Sequence, residues 1–84
     1  MIQDNTYRTS DTTLAAFLIT AQYALLSIDY ESIRFEFVFR KSNTIRESIN
    51  KYISGNALTD PSSFARVNRK LLRIIHKQCQ WEED

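Results

Sequence analysis

Five basic side chains in the C-terminal part of the chain are spaced so that they could act together in binding. They lie three or four positions apart between Asp60 and Gln80, except for one adjacent pair: Arg66, Arg69, Lys70, Arg73 and Lys77. An α-helix turns by about 100° per residue, so it would gather all five on one side of its surface. Basic side chains on such a face bind nucleic-acid phosphates, arginine through two parallel hydrogen bonds. The spacing therefore predicts a face that binds DNA or RNA.

A second interpretation of the same five residues is a surface that binds an acidic region of another protein. Such a surface tolerates apolar side chains beside the arginines, and Trp81 and Val38 are the candidates. A phosphate-binding surface would instead continue as basic residues on neighbouring elements, for example Arg46 and Lys51. Under this alternative the protein is an interaction module, an adaptor or inhibitor related to phages or mobile elements.

Groups suited to catalysis or to metal binding are scarce. His76 and Cys79 lie three positions apart, but a Cys/His nucleophile pair also requires an orienting third group and an oxyanion site. A metal ion would need further ligands that the neighbouring sequence does not supply. The one glycine, Gly55, cannot form a glycine-rich phosphate loop. We therefore expect no enzymatic activity, no metal site and no cofactor.

Composition indicates one small folded domain with an uneven charge distribution. The 84 residues, 43% of them hydrophobic, suit a single domain over residues 1–84 with one core. The net charge of +1 conceals an asymmetry, because residues 1–33 carry one basic residue against four acidic ones, and residues 34–81 carry ten against three. Residues 82–84 are an acidic tail of Glu82, Glu83 and Asp84. The basic excess therefore lies in the part that contains the predicted helix face.

The location of the protein is predicted from what the sequence lacks. A single cysteine, Cys79, forms no internal disulfide and suits a reducing compartment. No apolar run approaches the roughly 20 residues of a membrane span, and the first residues do not resemble a secretion signal. We expect a cytoplasmic protein without a membrane partner.

The N-terminal half predicts one helix and two strands. Residues 1–8 show no periodicity and are expected to be a loose lead-in, of which Tyr7 alone should pack. Apolar residues spaced as on a helix predict a helix from Asp11 to Gln22. Alternation then predicts a strand from Tyr23 to Tyr30 and another from Ser32 to Arg40, joined by a short turn at Glu31. The expected core-facing residues of the strands are Ala24, Leu26, Ile28, Tyr30, Ile33, Phe35, Phe37 and Phe39, and the expected outward residues of the second strand are Arg34, Glu36, Val38 and Arg40.

Capping residues set the expected limits of two further helices. Ser42, Asn43 or Thr44 would cap the first of them, whose apolar stripe is Ile45, Ile49, Tyr52 and Ile53. Gly55 would end that helix in a left-handed conformation. Asp60 with Pro61 would begin the next, with Leu58 packing back onto Phe64. The predicted fold is therefore α+β, a two-stranded antiparallel hairpin covered on one face by three helices in the order αββαα. Its two free strand edges would allow a homodimer.

Three stretches of the sequence carry a family resemblance when they are considered together. They are YRTSDTTLAAFL from Tyr7, IRFEFVF from Ile33, and IRESINKYISGNALTDPSSFARVNRKLL from Ile45. This combination resembles a family of small bacterial and phage proteins classed only as a domain of unknown function, over residues 7–77. The resemblance implies the helix, hairpin, helix, helix order and brings no activity, cofactor or catalytic residue. Its relatives tend to carry glycine where this chain has Gln22.

Overall fold

A three-stranded antiparallel sheet and three helices make up the part of the chain that the computed structural model describes, residues 5–31 and 33–81. The elements in chain order are β1 Thr6–Thr9, α1 Thr12–Thr20, β2 Leu25–Asp29, β3 Glu36–Arg40, α2 Asn43–Ile53 and α3 Pro61–Lys77. The strand order is β1-β3-β2, so β3 is the central strand and pairs antiparallel with both neighbours. The fold is α+β.

Strand β1 corrects the predicted fold, because the expected two-stranded hairpin and the order αββαα are wrong. Residues 6–8 belong to the expected loose lead-in, which ends before Thr9, yet Tyr7 lies opposite Phe39 and Thr9 opposite Phe37. The N–H of Lys41 extends the pairing with a 2.7 Å hydrogen bond to the Asn5 carbonyl. A segment of four residues with one large apolar side chain is too short to show the alternation of apolar and polar residues that marks a strand. Its partner strand is also distant in sequence. Tyr7 does pack against the core, as predicted. Residues 1–4 of the lead-in lie outside the described residues.

Strand β2 contains an irregularity that changes which of its side chains face the core. Leu25 lies opposite Phe39 and Ser27 opposite Val38, which leaves Leu26 as the extra residue of a β-bulge. Leu25 and Ile28 therefore both pack into the core, while Leu26 is exposed. The prediction was correct for Ile28 and wrong for Ala24 and Leu26, because strict alternation does not hold across a bulge.

Strand β3 buries side chains on both of its faces. Phe37 and Phe39 are fully buried and Phe35 partly, as predicted, but Ile33 is fully exposed because it precedes the strand in a loop longer than the expected turn. Val38 was predicted to face solvent and is only 4% exposed. Arg8 lies opposite Val38 and reaches Asp29 on the far strand at 3.1 Å and Glu36 at 3.8 Å. The stem of Arg8 therefore crosses the central strand and covers Val38.

Helix α1 lies at the centre of the core. Its N-cap is Asp11, whose carboxylate accepts from the backbone N–H groups of Thr13 and Leu14. Five consecutive residues are buried, Leu14, Ala15, Ala16, Phe17 and Leu18. A helix buried all round needs neighbours on several sides, and α1 packs against β1, α2 and α3. Because the side chains of Ala15 and Ala16 are small, these neighbouring elements can approach α1 closely.

Helix α2 packs on α1 through a mixed apolar and polar contact. Ser42 is its N-cap, and the hydroxyl accepts from the Ile45 N–H at 3.1 Å. Ile45 and Ile49 are buried, as predicted, whereas Ile53 is exposed. The Tyr52 ring lies 5.5 Å from that of Phe17 between centroids, and its hydroxyl is 2.6 Å from that of Thr13. Gly55 follows the helix with φ of 80°, which confirms the predicted left-handed end.

Candidate nucleic-acid interface

The start of α3 is fixed by a side-chain cap. The Asp60 carboxylate accepts from the Ser63 hydroxyl at 2.6 Å and from the Ser63 N–H at 3.0 Å, and Pro61 occupies the first helical position. The hydrogen bond from the Ser63 hydroxyl, with smaller help from its N–H and from the charge of Arg66, lowers the pKa of Asp60. The predicted cap is confirmed. The predicted contact of Leu58 with Phe64 is wrong, because Leu58 is exposed and Ala57 packs against the core instead.

The apolar side of α3 determines which side chains face solvent. Leu71 is fully buried, and partly buried residues pack against the same core: Phe64, Val67, Ile74 and Ile75. These positions recur at helical spacing and share one side of the helix. The opposite side must therefore project away from the protein, and it carries most of the predicted binding residues.

Four of the five predicted binding residues form one exposed surface, which we call the basic face: Arg66, Arg69, Arg73 and Lys77. At 1.5 Å per residue the face extends about 16 Å along the helix. Helix α3 contains no acidic residue. Within residues 5–31 and 33–81, no carboxylate comes within 4.0 Å of these four side chains, and the ion pairs observed there are those of Arg8. The basic face therefore presents cations that no neighbouring carboxylate neutralises by contact.

Lys70, the fifth predicted residue, lies at the flank of this surface. It is half-buried, and its ammonium group is 4.1 Å from the centre of the Trp81 ring. A cation over an aromatic face is attracted by the ring quadrupole. Trp81 is itself partly buried and packs against the core. Lys70 therefore contacts Trp81 and is not part of the basic face that the other four cations form.

The residues after α3, Gln78–Trp81, fold back onto the sheet, and we call them the strap. The Tyr30 hydroxyl donates to the Cys79 carbonyl at 2.6 Å and approaches that of Ile74 at 3.3 Å. Burial, followed by the nearby Cys79, raises the pKa of Tyr30. The Gln80 amide accepts from the Ile28 N–H at 2.7 Å and donates to the Ile28 carbonyl at 2.8 Å. Sequence reasoning missed these contacts, because an isolated Tyr and Gln give no signal of their partners.

The other titratable residues do not assemble into a site. His76 and Cys79 are both exposed, and the Cys79 thiol is directed at the Lys77 carbonyl, 3.6 Å away. Over the described part of the chain, no three or more His, Cys, Asp or Glu side chains come together as metal ligands would. Glu82, Glu83 and Asp84 of the predicted acidic tail lie outside the described residues.

Comparison with known proteins places the chain in a family. The protein belongs to the family described as Domain of unknown function (DUF5659), whose sequence profile matches residues 4–77. This match covers all the elements described above and confirms the resemblance at the level of a family without an assigned activity. Neither a curated protein nor a solved structure matches the chain. No helix among the described residues has the length and apolar character that crossing a bilayer requires.

Proposed function

We propose that the protein binds nucleic acid through the phosphate backbone, using the basic face of α3. One observation carries this proposal: four exposed cations share a single helix face, and no carboxylate of the described residues lies within 4.0 Å of them. Each cation that contacts a phosphate releases condensed counterions from the nucleic acid, which is the main source of affinity in such complexes. The bacterial or phage origin and the cytoplasmic location inferred from sequence are part of the same proposal.

The side chains of α3 favour phosphate contact over reading of bases. Asn and Gln are the usual readers of adenine edges, and Arg also contacts guanine. Asn68 is the only amide side chain on α3, and its Oδ1 is buried rather than exposed. The basic face therefore offers Arg and Lys alone, a combination that holds the backbone of many sequences. We expect modest sequence preference and a strong dependence on salt.

A second candidate, binding to an acidic protein, is favoured by one observation. Leu72 is 53% exposed on α3, and at helical spacing it lies on the flank next to Arg69 and His76. The apolar residues first considered for this role are not available beside the basic face. Val38 is buried on the face of the sheet away from the core cluster, and Trp81 is covered by Lys70. Leu72 is therefore the residue that separates the two candidate functions.

The test compares two variants that lose the same charge. Arg69 and Arg73→Gln removes two cations from the basic face, while Arg40 and Lys41→Gln removes two exposed cations from β3 and the following loop. Fluorescence anisotropy with duplex DNA, duplex RNA and single strands is measured at several salt concentrations. We expect the α3 variant to lose binding and the control to retain it. The salt slope on DNA should fall by roughly 0.9 for each phosphate contact removed.

Two outcomes decide against the proposal. Equal losses in both variants would show that net charge rather than the basic face is responsible. If the wild type did not bind at low salt, nucleic acid would be excluded as the ligand. A pull-down experiment for an acidic protein partner would then follow. In that case Leu72→Ala should weaken the complex with the protein partner. If the wild type does bind nucleic acid, Leu72→Ala should leave that binding unchanged, because Leu72 carries no charge.

A further inference from the structure

The outer edge of β2 is closed by a side chain rather than by a strand. Because β3 is central, β2 lies at one edge of the sheet. The Ile28 N–H and carbonyl both bond to the Gln80 amide, at 2.7 and 2.8 Å, and so point away from β3. Two residues in neighbouring antiparallel strands exchange the same pair of bonds. The planar amide of Gln80 therefore takes the place of one residue of an additional strand.

The strap carries Gln80 and is held by contacts at both of its ends. Gln78, Cys79 and Gln80 are exposed. Besides the Gln80 amide, the described contacts are the backbone hydrogen bonds of the Gln78 and Cys79 N–H groups to the last turn of α3, the hydrogen bond from the Tyr30 hydroxyl and the packing of Trp81. The β-bulge at Leu26 interrupts the upstream part of the edge. The segment open to pairing is therefore short, with Ile28 at its centre. Unpaired strand edges of this kind accept strands from other chains unless they are protected.

We propose that the edge of β2 is a docking surface for a second copy of this chain, which Gln80 keeps closed in the monomer. Two β2 strands pairing antiparallel about a two-fold axis would place Ile28 opposite Ile28 of the second copy. That pair would exchange the two bonds now made by Gln80. In this register Ser27 lies opposite Asp29 of the second copy, twice, so no like charges face each other. The edge can therefore pair with itself without opposing like charges, and a second copy is the occupant that we assign to it.

The test uses Gln80→Ala together with hydrogen exchange and sedimentation velocity. At low protein concentration the Ile28 amide hydrogen should exchange about fivefold faster than in the wild type, as for the loss of one ordinary hydrogen bond. At high concentration the variant should dimerise and the protection of Ile28 should return. The wild type should remain monomeric, with Ile28 protected equally at all concentrations. Adding Tyr30→Phe to Gln80→Ala removes a further hydrogen bond of the strap and should strengthen the dimer.

Two controls separate edge pairing from general destabilisation. Tyr23→Phe loses a comparable partly buried contact, from its hydroxyl to Ser48 at 3.0 Å, without opening the edge, and it should stay monomeric. In the Gln80→Ala background, Ser27→Asp should weaken the dimer by opposing Asp29 of the second copy, and Ser27→Lys should strengthen it. The proposal is overturned if Gln80→Ala and the double variant stay monomeric while Ile28 exchanges faster. Equal association of Tyr23→Phe, or no response to the charge at position 27, also overturns it.

Discussion

The three helices end in the same backbone arrangement with different residues at its left-handed position. After α1, α2 and α3 this position is held by Gln22, Gly55 and Gln78, with φ of 74°, 80° and 56°. In each case its N–H and the next N–H bond back to the last turn, which satisfies carbonyls that a helix end leaves free. A residue with a Cβ in this conformation costs about 1 kcal/mol. Two of the three ends therefore hold local strain.

Gln22→Gly and Gln78→Gly should each stabilise the fold by about 1 kcal/mol, because glycine reaches positive φ without a steric penalty. Gly55→Ala should destabilise it by a similar amount, although a Cβ at Gly55 would have no neighbour within 4 Å. The measurement is the free energy of unfolding in urea.

Asn50→Gly is the matched control for these substitutions. Asn50 is exposed inside α2, where glycine should cost about 0.3 kcal/mol relative to Asn. If Gln22→Gly and Gln78→Gly destabilised the protein as Asn50→Gly does, this result would show that these two helix ends hold no strain.

The Asp60 cap gives the fold a dependence on acid. The Ser63 hydroxyl lowers the pKa of Asp60 below its usual value of 3.8, so the charged carboxylate is favoured in the folded state. This contribution is complete above the usual pKa and is lost as the pH falls through the lowered one. Asp60→Asn keeps a capping side chain and removes the titration. The stability of the wild type should therefore decline relative to Asp60→Asn as the pH falls below about 4, measured by thermal unfolding. A difference in stability between the two proteins that stayed constant across this pH range would contradict the prediction.

At the scale of the elements, the parts that the sequence predicted are those specified by neighbouring residues. Asp60 with Pro61, and Gly55 after Tyr52, identified helix ends because caps act over one turn. Strand β1 was missed because its partner strand is distant in sequence. The prediction of which β2 side chains face the core was wrong because pairing with β3 creates the bulge. The exposed face of α3 followed from spacing, but the position of Lys70 depends on Trp81, which only the folded chain brings near.

Two apolar residues of the β3 region test the corrected arrangement. Val38→Ala should destabilise the fold by about 2 kcal/mol, because Val38 is buried under Arg8 and its loss leaves a cavity. Ile33→Ala should change stability by less than about 0.5 kcal/mol, because Ile33 is fully exposed. Strict alternation predicts the opposite order. Urea unfolding of the two variants distinguishes these patterns, and equal effects would contradict the burial of Val38.

For the molecule as a whole, the basic face concentrates like charge on one element. Like charges three or four residues apart on a helix repel each other by a few tenths of a kcal/mol per pair. Arg69 and Arg73→Gln should therefore stabilise the protein at low salt by about 1 kcal/mol, equivalent to about 5 °C in melting temperature. Salt screens the repulsion, so the gain should shrink as salt is added. Calorimetry at two ionic strengths measures it.

The variant Arg40 and Lys41→Gln serves again as the comparison, since it removes the same charge without relieving repulsion along α3. A stability gain confined to the α3 variant would mean that the basic face is retained at the expense of stability, as binding surfaces often are. Equal gains in both variants would attribute the effect to net charge.

The central position of α1 has a consequence for how the protein is made. Its apolar residues are synthesised before β2, β3, α2 and α3, and α3 supplies Leu71 to cover them. Neither β1 nor α1 can reach its final surroundings until β3, α2 and α3 have followed. The growing chain therefore carries an unshielded apolar helix until α3 has left the ribosome, which makes this segment a natural substrate for chaperones that bind nascent chains.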